Sequence, residues 1–199
     1  MLFRYFGQQA AWERKGFRFK MPIKLLDSTL VSLTISVYDW AHYTTSKGAV
    51  KMHTLLDYDC LLPEFMNITG GKRTDNKAAF DIEIKPHSIV VADRGYCDYG
   101  LLNYWDSNNV FYVVRHKDDI QHRTIKELPL PEKHAQNVLL DEIIEFELPT
   151  AKDKCPKRLR RIAVWDEEHG FVIELLSNNV TLAASTIAKL YKARWNIEI

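Results

Sequence analysis

The chain has 199 residues, a formal net charge of +1, 46% hydrophobic residues and 27% charged residues. These values predict a folded globular protein with a substantial core, and they exclude a disordered chain or a polycation that coats nucleic acid indiscriminately. Charged residues interrupt every apolar run before the roughly 18 residues that a membrane span needs, so no membrane partner is expected. The first 20 residues lack the pattern of a secretory signal, and a cytoplasmic protein is expected.

The first half of the chain predicts a mixed α/β layer. Its strand segments are rich in β-formers, and its helical segments are bounded by Pro or Gly. The predicted elements are, in chain order, a strand over residues 23–31, a hairpin over 49–69, a helix over 75–83, a strand over 88–92, a helix over 98–107 and a strand over 110–114.

The pattern of polar and apolar residues changes after Arg115. Residues 116–180 alternate polar and apolar positions in short runs, which predicts antiparallel strands that form an insertion with its own sheet. Residues 185–199 are strongly helical, with Ser185 as the expected cap. The chain ends inside this helix, and we interpret that end as the sign of a truncated product.

A basic stretch runs from Lys152 to Arg161 and contains six basic residues against one acid. It has two interpretations. The stretch could meet DNA phosphates by releasing counterions, or it could be a solvated hairpin edge that charge protects from aggregation. The candidate DNA-contacting residues in it are Lys157, Arg158, Arg160 and Arg161.

Asp93 directly follows the continuous apolar run 88–92. Such a run is typical of a strand buried on both faces, and α/β sheets present ligand-binding groups at the carboxyl ends of such strands. Gly95 would permit a tight turn behind it. The alternative interpretation is an Asp that only caps the following turn.

Asp27 lies within the first predicted strand, bracketed by Leu25, Leu26 and Leu30. If Leu26 faces the core, alternation along the strand turns Asp27 to the opposite face. Two acids on neighbouring strands could share divalent metal ions, as phosphoryl-transfer sites do. The alternative is a solvent-facing residue of a half-exposed strand.

The final helix supplies a third acid. Tyr191, Arg194 and Glu198 are spaced at i, i+3 and i+7, which places a phenol, a guanidinium and a carboxylate on one helix face. An ordinary surface ion pair between Arg194 and Glu198 would explain part of the same pattern.

Together these segments resemble the IS4 family of bacterial insertion-sequence transposases. The resemblance rests on four motifs in the family's order. They are Leu25-Leu26-Asp27-Ser28-Thr29, Lys47-Gly48-Ala49-Val50-Lys51-Met52-His53, Val90-Val91-Ala92-Asp93-Arg94-Gly95-Tyr96 and the Tyr-x2-Arg-x3-Glu signature from Tyr191 to Glu198.

The resemblance implies an RNase H-like mixed sheet flanked by helices, with a β-rich insertion between the second Asp and the Glu. The implied division is an N-terminal remnant over 1–20, a core over 21–115, the insertion over 116–180 and a catalytic helix over 181–199. Asp27, Asp93 and Glu198 would be the catalytic carboxylates and would hold two Mg²⁺ ions, for which Mn²⁺ could substitute.

The implied partner is double-stranded DNA, both at the inverted-repeat ends of the element and at the target, with a homodimer in the synaptic complex. Tyr191 and Arg194 would position DNA phosphates, and Arg94 is a further candidate. Trp195 would stack on an unpaired base or pack within the protein. The alternative functions are another RNase H-like nuclease, or a truncated remnant that binds DNA or dimerises without catalysis.

Overall fold

The computed structural model describes residue 17 and residues 20–33, 48–116, 121–130 and 137–195. In this part of the chain the elements follow the predicted order closely. The strands are β1 (Ile23–Leu33), β2 (Gly48–Asp57), β3 (Pro63–Gly70), β4 (Ile89–Ala92), β5 (Phe111–Arg115), β6 (His122–Glu127), β7 (Val138–Phe146), β8 (Leu159–Asp166) and β9 (Phe171–Ser177). The helices are α1 (Asp75–Ala79), α2 (Tyr99–Ser107), α3 (Pro149–Lys154) and α4 (Ala184–Trp195).

All nine of these strands belong to one sheet, in the order β3-β2-β1-β4-β5-β9-β8-β7-β6. Strands β1, β4 and β5 are parallel neighbours, and the other pairs are antiparallel. Helices cover both faces, which confirms the expected mixed α/β sheet flanked by helices.

The two faces of the sheet have separate apolar cores. On one face Leu26, Val90 and Tyr112 pack with the buried side of α2, including Trp105. On the other face Leu25 and its neighbours in the parallel strands pack against α4. Burial of each such large side chain contributes roughly 1.5–3 kcal/mol, so the two helices are held firmly against the central strands.

The insertion does not form its own sheet, and that prediction is wrong. Strand β9 pairs with β5, where Val113 lies opposite Ser177 and Arg115 opposite Leu175. The cause is the outer edge of β5, whose unpaired N–H and C=O groups need partners. Strand β9 supplies them, and Asn178 continues the pairing by accepting from the Tyr112 N–H over 3.0 Å.

Several element boundaries also differ from the prediction. Helix α1 ends at Ala79 and turns follow it, whereas the predicted helix ran to residue 83. Helix α4 begins at Ala184, one residue before the expected cap Ser185. None of the described helices is long and apolar enough to cross a membrane. The division of the chain at residues 20, 115 and 180 stays a prediction.

Candidate active site

Asp27 and Asp93 occupy equivalent positions on two neighbouring parallel strands. Leu26 lies opposite Ala92 in the β1–β4 register, so each Asp follows one member of the last pair. Strand β4 stops there, while β1 continues to Leu33. Since neighbouring strands are only ~4.8 Å apart, the two carboxylates meet at the open end of β4.

The alternation expected for β1 is present. Leu26 belongs to the core on the α2 face, and Leu25 belongs to the core on the α4 face. Asp27 therefore points to the α4 side of the sheet, where it meets Arg194. Its side chain is 33% exposed, so the residue also fits the description of a half-exposed strand position.

Arg194 lies between the two carboxylates. Its Nη1 is 3.6 Å from Oδ1 of Asp27, and its Nη2 is 3.7 Å from Oδ1 of Asp93. The guanidinium is only 13% exposed and lies 5.5 Å from the centre of the Tyr191 ring. One cation thus faces both acids, a position that needs the forked shape of arginine rather than the point charge of lysine.

Tyr191 makes a direct hydrogen bond to Asp93. Its hydroxyl donates to Oδ1 of Asp93 over 3.1 Å. Burial, followed by the negative charge of Asp93, raises the pKa of Tyr191 to about 12. The phenol therefore keeps its proton at neutral pH and acts as a donor to the carboxylate.

The environment also acts on Asp27. Burial raises the pKa of its carboxyl above the ordinary value, and the negative charges of Asp93 and Asp75 act in the same direction. Arg194 and the Ser28 N–H oppose that change. The site thus concentrates negative charge that a cation would relieve.

Asp93 lies at the carboxyl end of β4 and also caps the turn that follows it, while its role as a metal ligand stays a prediction. Besides meeting Arg194 and Tyr191, it accepts a hydrogen bond from the Arg94 N–H over 2.8 Å and begins the short 3₁₀ turn Arg94–Tyr96. Arg94 itself is exposed on that turn. Gly95 does not have the positive φ that a tight turn would require, and a Cβ there would lie 2.8 Å from an oxygen of Asp75.

Glu198, the third expected carboxylate, lies outside the described residues, which end at Trp195. Tyr191 and Arg194 precede it on α4, and both already face the two aspartates. Glu198 therefore stays a prediction.

Trp195 packs against protein groups. Its ring lies 5.6 Å from the Tyr191 ring and 5.1 Å from the ring of His169, both in edge-on orientation. These contacts fit the packing interpretation. The base-stacking interpretation stays a prediction.

The basic stretch divides into exposed and buried residues. Lys157 and Arg158 are exposed, with Lys157 paired to Asp106. The structure contradicts the DNA contact predicted for Arg160, because its guanidinium is buried and forms an ion pair of two hydrogen bonds with Asp141. Arg160 lies two residues from Ile162 and so shares its face of β8, which packs into the core on the α4 side, and this explains the difference.

Arg161 is engaged as well, by Glu142 and Glu174 on the neighbouring strands. Its side chain is 16% exposed. The pairing occupies the guanidinium, so Arg161 is a weaker candidate for a phosphate contact than Lys157 or Arg158.

The residues at the end of β4 suit a divalent metal. Carboxylate oxygens are the ligands that Mg²⁺ prefers, and the cation now nearest to both aspartates is the Arg194 guanidinium. A second acidic group, formed by Asp166, Glu168 and His169, lies at the turn after β8. Its Asp166 carboxylate already accepts from the Glu168 N–H and contacts the His169 ring, so hydrogen bonding within the turn explains that group.

A family profile described as "Transposase DDE domain" matches residues 18–199. A probable transposase for insertion sequence element IS5377 from Geobacillus stearothermophilus is 27% identical over 186 residues, covering 94% of this chain and 48% of that protein. The y4zB protein of Sinorhizobium fredii, also named as a transposase, is 29% identical over 178 residues, covering 89% of this chain and 49% of that protein.

The chain thus spans about half the length of the curated relatives it matches. Among solved structures, a piggyBac transposase synaptic complex with hairpin DNA matches with a TM-score of 0.49 and 11% identity. That match covers 86% of this chain and 37% of the other.

Proposed function

This chain belongs to the transposase DDE domain family, and we propose that it cleaves and rejoins DNA phosphodiester bonds at the ends of an insertion sequence. The observation that supports this most directly is the pair formed by Asp27 and Asp93. Two unrelated parts of the chain place carboxylates side by side at the end of β4, and a single cation faces both. Such paired acids are what metal-assisted phosphoryl transfer requires.

Asp27 and Asp93 would hold two Mg²⁺ ions, with Glu198 as a third ligand and Mn²⁺ as a substitute. When bound, the ions supply activation of the attacking oxygen and stabilisation of the leaving 3′-oxygen. The protein's own contribution is to fix the carboxylates, which Tyr191 does for Asp93 through its hydrogen bond. In the strand-transfer step, the freed 3′-OH would attack a phosphodiester of the target DNA, and the new P–O bond would form as the bond from that phosphorus to the target strand's own 3′-oxygen breaks.

Arg194 would change partners during this reaction. In the structure its guanidinium faces Asp27 and Asp93 and offsets part of their negative charge. Metal ions at the same carboxylates would replace that charge, and the guanidinium would then be available to a DNA phosphate. Its planar fork suits the oxygens of a phosphate.

The DNA partner is proposed to be double-stranded, comprising the inverted-repeat ends and the target site. Lys157 and Arg158 are exposed and could contribute phosphate contacts, as could Arg94. A homodimer that holds two ends in a synaptic complex is part of the same proposal.

A cleavage assay tests this function. The chain is incubated with duplex DNA carrying the cognate inverted repeats and Mg²⁺ or Mn²⁺, next to the Asp93→Asn variant. Cleavage by the wild type and its loss in Asp93→Asn are expected, while Asp153→Asn, a change in an exposed acid of α3, should cleave normally. Equal cleavage by all three proteins would refute the assignment. Binding of the repeats without cleavage by the wild type would support the non-catalytic alternative.

A further inference from the structure

Asp75 connects the backbones that present the two candidate ligands. Its Oδ1 accepts a hydrogen bond from the Ser28 hydroxyl over 2.7 Å, and Ser28 directly follows Asp27. Its Oδ2 lies 2.8 Å from the position that a Cβ on Gly95 would take, and Gly95 is two residues after Asp93. One carboxylate therefore contacts the chain just beyond both aspartates.

Asp75 approaches the site from the opposite face of the sheet. Asp27 points toward α4, so its neighbour Ser28 points toward α1, where Asp75 is the first helical residue. Asp75 is therefore not placed to bind the same ion as Asp27. Its contacts act on the strand and the turn that carry the ligands.

Lys51 of β2 holds Asp75 in place, and His53 of the same strand lies beside it without a hydrogen bond to its carboxylate. The Lys51 ammonium lies 3.1 Å from Oδ1, and Nδ1 of His53 lies 3.8 Å from the same oxygen. His53 is fully buried, and its Nε2 is fixed by the Thr69 hydroxyl at 3.1 Å. Lys51 of the Lys-x-His motif, to which the catalytic interpretation gives no task, thus supports Asp75, and His53 packs beside it.

A simpler explanation is that Asp75 only stabilises the start of α1. An acid in the first turn does favour a helix, by about 0.3–1 kcal/mol. Helix α1 has only five residues, however, and this effect does not require contacts with β1, β2 and the turn after β4. It also does not explain why Gly95 leaves room for a carboxylate.

We propose that Asp75 is a positioning residue of the DNA-cleavage site, which sets the placement of Asp27 through Ser28 and of Asp93 through the Gly95 turn. Lys51 holds the Asp75 carboxylate for this task. The inference rests on the proposed function only in taking Asp27 and Asp93 as metal ligands. Groups that orient metal ligands typically change metal affinity by 10–100-fold, on the order of the effect expected here.

The test measures Mn²⁺ affinity by electron paramagnetic resonance on the full chain without DNA. Asp75→Ala should weaken binding by about tenfold or more. Asp81→Ala is the matched control, because Asp81 is an exposed acid just after α1 that pairs with Arg73. If Asp75→Ala fails to fold, Asp75→Asn, which keeps the side-chain shape, replaces it. Unchanged affinity in the folded variant would overturn the inference.

Gly95→Ala provides an independent arm. The added Cβ must displace the Asp75 carboxylate, so this variant should also lose Mn²⁺ affinity. In the double variant Asp75→Ala/Gly95→Ala the space is free, and the loss should not exceed that of Asp75→Ala alone. Additive losses would show that the two residues act separately and would contradict the proposed contact.

Hydrogen exchange separates this inference from the proposed function. Amides of residues 94–98 should exchange faster in Asp75→Ala than in the wild type or in Asp81→Ala. We expect this faster exchange even if the wild type binds no Mn²⁺. Failure to bind Mn²⁺ would refute the metal site, and the exchange rates alone would then decide the positioning role. Unchanged exchange in the turn would refute the positioning role itself.

Discussion

The hydroxyl of Tyr191 donates a hydrogen bond to the carboxylate of Asp93 across 98 residues of sequence. Asp93 follows the buried strand β4, whereas Tyr191 lies on α4, the last described helix of the chain. The bond therefore attaches α4 to the site at the end of β4. The same helix also carries Arg194, which faces both aspartates, so α4 supplies two side chains to the site.

Replacement of Tyr191 by Phe should reduce DNA cleavage by about 10–100-fold while leaving the fold intact. The ring that packs in the core is kept, and only the hydrogen bond to Asp93 is lost. Initial cleavage rates at saturating Mg²⁺ measure the effect. Tyr104→Phe, on the exposed side of α2, is the control and should cleave at the wild-type rate. A wild-type rate in Tyr191→Phe would show that the bond does not matter to the reaction.

Arg194→Ala should make the protein more dependent on metal for its stability. Without the guanidinium, Asp27 and Asp93 face each other with no shared cation, so the metal-free protein should melt at a lower temperature. Added Mn²⁺ should then raise the melting temperature by more than it does in the wild type, since binding to the folded state stabilises it. Differential scanning fluorimetry with and without Mn²⁺ measures both values.

The control for this experiment is Lys192→Ala, which removes a neighbouring positive charge that is exposed and directed toward Glu168. Its response to Mn²⁺ should match that of the wild type. An equal Mn²⁺ response in Arg194→Ala would contradict the idea that arginine and metal occupy the same electrostatic role.

Local patterns were sufficient to predict the strands and acids of the core. Residues 89–92 before Asp93 are all apolar, so a buried strand was their natural interpretation. The alternation of side chains along β1 correctly predicted that Asp27 points to the face opposite Leu26. Both signals depend on near neighbours in sequence. The pairing of β9 with β5 depends on which edge is open in three dimensions, and no local pattern reports that.

The same limit applies to Asp75 and Arg160. Asp75 looks like an ordinary first residue of a helix, and its contacts with Ser28 and Gly95 arise from distant segments. Arg160 is one of six basic residues in ten, so the stretch predicted exposure. It nevertheless shares a buried face of β8 with Ile162 and lies beside Asp141, whose position on β7 the sequence did not indicate.

Asp141→Ala should lower the free energy of unfolding by ~3–5 kcal/mol, because it leaves a buried arginine without its partner. Both side chains are 5% exposed or less, and Arg160 also donates to the carbonyls of Asn179 and Leu182 ahead of α4. Urea denaturation followed by circular dichroism gives the value. The exposed control Asp153→Ala should change it by less than about 0.5 kcal/mol.

A double variant, Asp141→Leu with Arg160→Met, isolates the cause of that loss. It removes both charges together, so most of the stability should return. If the double variant were as unstable as Asp141→Ala, lost packing rather than an unpaired charge would be responsible.

Glu174→Gln should remove a contribution to stability that depends on pH. Burial acts to raise the pKa of the Glu174 carboxyl, but the ion pair with Arg161, aided by His116 and His122, outweighs it and holds the pKa below the ordinary 4.5. A carboxyl with a lowered pKa stabilises the fold above its unfolded-state pKa, and this stability is lost as the pH falls through the lower folded-state pKa. The difference between wild type and variant should therefore be largest near neutral pH and should shrink below a pH of about 4.5. Because a third of the Glu174 side chain is exposed and solvent screens the pair, we expect a difference of no more than about 1 kcal/mol. Urea denaturation at pH 7, 5 and 3.5 measures it, with the exposed Glu167→Gln as control. A difference that stays constant over this range would show that the ion pair is not its source.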